Sequence, residues 1–310
     1  MKEVHTIFMG TPDIAATILR SLLEEGKKID LVVTQPDKKK GRKQILEYSP
    51  VKQVAMEYDI PVFQPIKIRD DYQRIVDCKP DLIITCAYGQ IVTKEVLDCA
   101  TYGCVNLHGS ILPKYRGGAP IQRAIWNGDT KSGMTLMKMV ERMDAGPVLD
   151  VEEVEILPQD NSTSVFEKMA VAASKLMLKN FDLITSGNAI YTEQDESKVI
   201  FSPVIKKEEE HLDYAQNDEG IINQIRALSY QPGAYCLVKN KKLKILEATY
   251  VKENIDAPYT IVGWKHDGFA ISLKEGTLVI KECQMEGKPV MKAKDFFNGQ
   301  GRNLVNTIIE

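Results

Sequence analysis

The chain has 310 residues, 44% of them hydrophobic and 27% charged, and a formal net charge of -3. That length suits one large and one smaller domain. No apolar run reaches the roughly 18 residues of a membrane span, and the opening stretch MKEVHTIFMG is too short for a secretion signal, so a cytoplasmic protein without a membrane partner is expected. The small negative balance excludes indiscriminate nucleic-acid binding, which needs a broad excess of Lys and Arg, and leaves room for local basic contacts only.

In chain order, short apolar runs alternate with amphipathic stretches, the pattern of a parallel sheet covered by helices. Strands are predicted at Val4–Met9, Leu31–Thr34, Val62–Phe63, Leu82–Cys86, Gly103–Leu107, Ser132–Met137 and Val148–Val154. Helices are predicted to begin near Pro12, Pro50, Ile68, Gln90 and Gly118, and a longer one covers Ser164–Leu183 behind a capping run, Asn161-Ser162-Thr163. This is a doubly wound α/β domain, residues 1–185. Periodicity then fades through a linker, residues 186–207, that is polar and broken by Gly and Pro. Residues 208–310 change class: a helix near Asp218–Ala227 precedes short strands at Ala234–Val238, Leu243–Tyr250, Thr260–Trp264, Gly268–Ser272 and Thr277–Glu282, the spacing of a small barrel or sandwich.

Several motifs limit the chemistry. After the first strand, GTPDIA carries a single glycine, Gly10, where a dinucleotide fingerprint needs three; Thr11 as N-cap and Pro12 at the first helical position make a plain strand-to-helix turn. No phosphate-binding G-x-x-x-x-G-K-[ST] run occurs. The six cysteines, Cys78, Cys86, Cys99, Cys104, Cys236 and Cys283, form no CxxC pair and read as packing residues. One histidine without a second ligand at metal spacing argues against zinc, and Ser110 in HGSIL lacks the nucleophile elbow of a hydrolase.

The most informative segment runs from Val105 to Pro120, at the carboxyl end of a buried strand, where open α/β sheets bind ligands. Strand alternation puts Asn106 and His108 on one side, and an amide beside an imidazole can grip an oxygen that becomes negative. Asp144, in the run Glu141–Pro147, is either a turn residue or the carboxylate that orients His108; spacing alone leaves both open. Two basic runs, residues 38–43 and 239–244, read as solvated loops.

The combination GTPDIA, AYGQI at Ala87–Ile91, NLHGSILPKYRGGAPIQRAIWNGD over Asn106–Asp129, SGMTLMKM over Ser132–Met139 and MDAGPVL over Met143–Leu149 resembles the 10-formyltetrahydrofolate-dependent formyltransferases, along the whole chain. The resemblance implies a Rossmann-like domain joined to an OB-like β-barrel, with Asn106, His108 and Asp144 catalytic. It also implies that Ser110, Ile111, Leu112 and Pro113, with Tyr88, Gly89 and Gln90, contact the folate. The cosubstrate it implies is 10-formyltetrahydrofolate, with no metal. The acceptor it implies is initiator methionyl-tRNA, held by an inserted loop, Gln35–Tyr48, through Lys38, Lys39, Lys40, Lys43 and above all Arg42, whose planar fork suits phosphate. A monomer is expected. Two rivals stand beside this reading: a formyltransferase acting on a small amine, such as a UDP-amino-sugar or glycinamide ribonucleotide, and an RNA-binding module without catalysis.

Overall fold

In the computed structural model, which describes residues 4–40, 45–255 and 257–310, the first strand, β1 (Thr6–Gly10), is buried along its whole length, as a strand covered on both faces must be. Helix α1 (Asp13–Glu24) follows, burying Ile14, Ala15, Ile18, Leu19 and Leu22 at the spacing of one helical face. Next come β2 (Leu31–Val33), β3 (Lys38–Lys40), β4 (Ile45–Glu47), α2 (Pro50–Glu57) and β5 (Val62–Phe63). A 3-10 turn at Ile68–Asp70 and the short helix α3 (Gln73–Asp77) lead to β6 (Leu82–Cys86), α4 (Lys94–Asp98), β7 (Cys104–His108) and α5 (Pro120–Trp126). Then follow β8 (Lys131–Lys138), β9 (Val148–Glu155) and the long α6 (Ser162–Thr185), whose N-terminus is capped by Asn161 accepting from the Ser164 N–H at 3.1 Å.

The sheet order is β5-β2-β1-β6-β7-β8-β9, and the first five strands pair in parallel. Strand order runs outward from β1 in one direction and from β6 in the other, the doubly wound plan, and ligands of such sheets bind beyond the carboxyl ends near that reversal. The parallel pattern expected of every strand stops at β7: β8 pairs antiparallel with β7 and β9 antiparallel with β8. The connection 139–147 is shorter than the dozen or so residues a parallel crossover requires, so β9 has to return beside β8.

Three further differences are local. The Thr11 hydroxyl does not cap α1; it donates to the Tyr88 carbonyl at 3.0 Å and accepts the Gln35 N–H, so it ties the β1 turn to the β6 turn instead. The helix expected near Gln90 starts four residues later, at Lys94, behind Thr93, whose backbone is still extended (φ -75°, ψ 159°). Within Gln35–Tyr48, β3 and β4 pair antiparallel, with Lys38 opposite Glu47 and Lys39 opposite Leu46, which a run of three lysines did not signal.

The chain divides into two compact units, residues 1–120, 131–155 and 166–202, and residues 121–130, 156–165 and 203–310. In the second, α7 (Asp218–Leu228) is capped by Asn217. It precedes β10 (Ala234–Val238), β11 (Lys241–Lys252), β12 (Ile261–Lys265), β13 (Gly268–Ser272), β14 (Gly276–Met285), β15 (Met291–Lys292) and α8 (Ala293–Gly299). The antiparallel order is β10-β11-β14-β13-β12, with β15 against β14. Segment 306–310 bonds to both outer strands, to Ile261 and Tyr259 on one side and Leu237 on the other, so neither edge is left open there. Phe269 and Phe296 meet edge to face in its core at 5.1 Å.

Of the cysteines, Cys86, Cys104, Cys236 and Cys283 are buried, and burial pushes the thiols of Cys86, Cys236 and Cys283 up to about 12, the behaviour of packing residues. Among the described residues no helix is long and apolar enough to cross a membrane.

Gly10 owes its place to packing: a Cβ there would stand 2.6 Å from the Ala15 Cβ and 2.9 Å from the Cys86 carbonyl oxygen. Gly10→Ala should therefore lower stability by about 2 kcal/mol, the scale of overpacking, read as a fall in the urea midpoint at unchanged slope.

Candidate active site

Strand β7 carries Asn106 and His108 at its carboxyl end, between β6 and β8. Asn106 is half-buried, and its Oδ1 accepts from the Thr85 hydroxyl at 2.8 Å, across the register pair Thr85 with Asn106. The same hydroxyl stands 3.1 Å from the Val105 carbonyl and 3.1 Å from the Met139 sulfur, but it has one hydrogen and the amide oxygen is nearest. Donation there fixes which way the amide lies. Its Nδ2, with two donors, has no partner among the described residues.

His108 is 6% exposed. Its Nε2 lies 2.8 Å from the Tyr115 carbonyl, which can only accept, so that nitrogen carries a hydrogen. Its Nδ1 faces Asp144 Oδ2 at 3.6 Å, beyond a closed hydrogen bond. The carboxylate that spacing could not bring to His108 is beside it. Asp144 Oδ2 also accepts the Gly117 N–H at 2.8 Å, so the loop after β7 and the turn after β8 meet at one oxygen. The turn holding Asp144 is an unusual one: Asp144 itself is left-handed, at φ 50°, and a Cβ on Gly146 would lie 1.8 Å from the Lys138 carbonyl oxygen.

Between the strand and Arg116, the turn Ser110–Pro113 is held from β8. The Thr135 hydroxyl donates to the Ser110 carbonyl at 2.6 Å and accepts the Leu112 N–H at 3.1 Å. The Ser110 hydroxyl turns inward to the Lys114 carbonyl, Leu112 is buried, Ile111 and Pro113 are half-buried, and the Leu112–Pro113 peptide is cis. The second group expected at the folate lies on the β6 turn. The Tyr88 ring belongs to the core, its hydroxyl is buried, and burial pushes it up to about 12; Gly89 is exposed at φ 90°. The Gln90 amide is spent on the backbone, accepting the Ile68 N–H at 2.8 Å and donating to the Pro65 carbonyl at 3.2 Å. What that turn offers a ligand is its backbone and the exposed Ile91 side chain.

Lys38 and Lys39 are exposed on β3, Lys40 is described by its backbone, and Arg42 and Lys43 lie outside the described residues. The ribbon's base is anchored: Lys52 pairs with Asp37 at 2.6 Å and Gln64 donates to the other Asp37 oxygen. Burial would raise the Asp37 carboxyl, and the hydrogen bonds from Lys52 and Gln64 outweigh it and hold it below the ordinary range. In the second run, Lys239 and Asn240 form the left-handed hairpin turn between β10 and β11, Lys242 covers the Tyr235 ring at 3.9 Å, and Lys244 donates to the Pro232 carbonyl.

Comparison with known proteins agrees with the geometry. Residues 2–181 match the formyl transferase family and residues 204–301 the formyl transferase C-terminal domain. The methionyl-tRNA formyltransferase of Lactobacillus acidophilus is 42% identical over 302 residues, covering 96% of each chain. That of Bacillus subtilis is 41% identical over 297 residues, covering 94% of each. Among solved structures, HypX from Aquifex aeolicus in complex with tetrahydrofolic acid superposes with a TM-score of 0.72 at 17% identity. That match covers 98% of this chain and 48% of HypX, so the chain spans about half of HypX's length and the likeness is one of fold.

Thr85, Thr135, Arg116 and Gln194 are polar side chains at this site that motif reading left unassigned, and Gly117 contributes its backbone N–H; the two threonines act through hydroxyls on neighbouring strands and carry no sequence signal. Thr85→Val, nearly equal in shape, should cost about 1 kcal/mol in urea unfolding, and most of that cost should vanish in an Asn106→Ala background. Additive costs would mean that the hydroxyl serves the Val105 carbonyl instead.

Proposed function

The chain belongs to the formyl transferase family, and from that premise we infer that it carries the formyl group of 10-formyltetrahydrofolate to the α-amine of initiator methionyl-tRNA, for translation initiation. The observation that carries this reading is likeness along nearly the whole chain, both domains included, to relatives named for that reaction, at 42% identity. A small-amine acceptor or an RNA-binding role without catalysis has no comparable support.

We assign the chemistry to Asn106, His108 and Asp144. The deprotonated amine nitrogen attacks the formyl carbon, and the carbonyl oxygen takes the negative charge of a tetrahedral intermediate. The Asn106 Nδ2–H, left free while Oδ1 accepts from Thr85, is our assignment for the first donor to that oxygen. The Nδ1–H of protonated His108, 3.6 Å from Asp144 and not closed onto it, is the second donor, while Asp144 keeps the ring turned and balances its charge. Collapse breaks the bond from the formyl carbon to N10 of the folate. The proton lost by the amine is made good at N10, leaving formylmethionyl-tRNA and tetrahydrofolate. Holding the two substrates at attack distance supplies the rest.

The backbone of the Ser110–Pro113 turn, with Tyr88, Gly89 and Gln90 contributing through the fold of theirs, is our assignment for the folate. Lys38, Lys39, Lys40, Arg42 and Lys43 are assigned to the tRNA, and the antiparallel domain, residues 208–310, to further tRNA contact, with 1–185 catalytic and 186–207 linking. The expected setting is the cytoplasm and the expected state a monomer without a metal.

Formyl transfer from 10-formyltetrahydrofolate should be measured on methionyl-initiator-tRNA beside free methionine, a UDP-amino-sugar and glycinamide ribonucleotide. Activity confined to the charged tRNA is expected; activity on a small amine alone would overturn the acceptor and keep the chemistry. Asn106→Ala and His108→Ala should each lower kcat by about 10²–10³, the scale of one preorganised donor, at a folded, monomeric elution position. Near wild-type turnover of Asn106→Ala would sink the oxyanion assignment.

A further inference from the structure

Arg116 is a charged side chain only 2% exposed that the catalytic assignment does not use. Its Nε and Nη2 donate to Gln194 Oε1 at 3.0 and 2.8 Å, and its guanidinium pairs with Glu196 at 2.8 Å. Because a guanidinium can only donate, the Gln194 oxygen must face it, and both amide hydrogens of Gln194 are turned the other way. They go to the carbonyls of Asp144, at 2.8 Å, and Gly146, at 2.7 Å. Arg116 is also fixed along its backbone, its N–H donating to the Ile200 carbonyl and its carbonyl accepting the Ser202 N–H. The next residue, Gly117, gives its N–H to the Asp144 carboxylate. Asp144 is thus gripped twice, at its carboxylate by the loop after β7 and at its backbone by Gln194.

The grip has a load to carry. A left-handed aspartate costs about 1 kcal/mol or more, and the turn can relax only if the Asp144 and Gly146 carbonyls are released. Relaxation would swing the carboxylate away from His108 Nδ1, from which it is already 3.6 Å distant. Among the described residues no other side chain donates to either carbonyl.

We propose that Gln194, locked by Arg116, is a positioning residue of the transfer reaction: it sets where the Asp144 carboxylate stands by clamping the two carbonyls of its turn. The proposal rests on the reading that Asp144 serves the chemistry. It gives a role to a position in the segment expected only to link domains, and it predicts that the loss from removing Gln194 runs through Asp144.

The test uses the full chain with its tRNA and folate substrates and four variants: Gln194→Ala, Gln194→Glu, Asp144→Asn and the double Gln194→Ala/Asp144→Asn. Gln194→Glu keeps a partner for Arg116 and puts an acceptor oxygen in place of the two donated hydrogens, so it separates the clamp from the arginine's burial. Both Gln194 variants should lower kcat by about ten-fold or more, with the KM for each substrate held within about two-fold, the signature of misplacement without lost binding. The double variant should be no slower than Asp144→Asn. Independently of activity, amide hydrogen exchange at Gly117 should quicken in both Gln194 variants, since its acceptor is the carboxylate that moves. Full rate in Gln194→Glu, unchanged Gly117 protection, or multiplying losses in the double variant would each overturn the clamp. Unchanged turnover in Asp144→Asn would overturn the reading of Asp144 and the proposal with it, whereas a slow Asp144→Asn beside normal Gln194 variants would overturn the proposal alone.

Discussion

The hydrogen bond of 2.8 Å from the Gly117 N–H to Asp144 Oδ2 joins two loops that leave neighbouring strands, and the candidate site exists because they meet. One loop continues β7, the strand whose carboxyl end carries the two side chains that can face a developing negative charge. The other follows β8 and must present a carboxylate from a left-handed residue, a conformation that an aspartate tolerates better than most but does not prefer. Backbone strain of that kind persists only where the surroundings over-determine it. Here they do: the carboxylate is bonded in front, the carbonyls of the turn are bonded behind, and Gly146 leaves room for the Lys138 carbonyl where any Cβ would collide.

Strand β8 does more than extend the sheet. Its register sets Thr135 opposite His108, and the Thr135 hydroxyl then holds the Ser110 carbonyl and the Leu112 N–H. The antiparallel turn at the edge of an otherwise parallel sheet therefore brings a hydroxyl from the neighbouring strand to the loop after β7, which a parallel neighbour running the same way would not offer in this register. On the other flank, Thr85 of β6 orients the Asn106 amide. One threonine one strand away thus sets the Asn106 amide and another holds the turn that follows His108, and each is buried and bonded. Rigid strands supply the precision; the loops supply the groups.

Much of this was legible in the residues. The apolar runs of β1, β6 and β7 could be located because buried strands are continuous in Val, Ile and Leu, and alternation alone put Asn106 and His108 on one side. The approach of Asp144 was not, since nothing in a Met-Asp-Ala-Gly turn states which neighbour it faces. Thr11 looked like a cap because a threonine before a proline usually is one, yet the Tyr88 carbonyl competed for the hydroxyl and won. Tyr88 and Gln90 carry the family's motif but point their side chains into the core and onto backbone, so a motif match located the turn without saying which atoms of it are free. The ribbon at Lys38–Lys40 gave no strand signal because a two-stranded pair of three-residue strands buries too little to need an alternating pattern. Arg116 and Gln194 are 78 positions apart, and Gln194 sits in a polar stretch whose composition says only that it is not a helix.

A buried guanidinium is a costly way to hold a glutamine. Desolvating the charge costs several kcal/mol, and one ion pair with the largely exposed Glu196 returns only part of it. A leucine at position 116 would fill the space without that penalty, and it would leave the Gln194 oxygen without its donor, so that the amide could turn away from the Asp144 and Gly146 carbonyls. The arginine's contribution is directional: a group that can only donate removes one of the two orientations of the amide, and the surviving one delivers two hydrogens to the turn. Stability alone would favour the apolar residue; a turn whose carboxylate must be held in one place favours the charge.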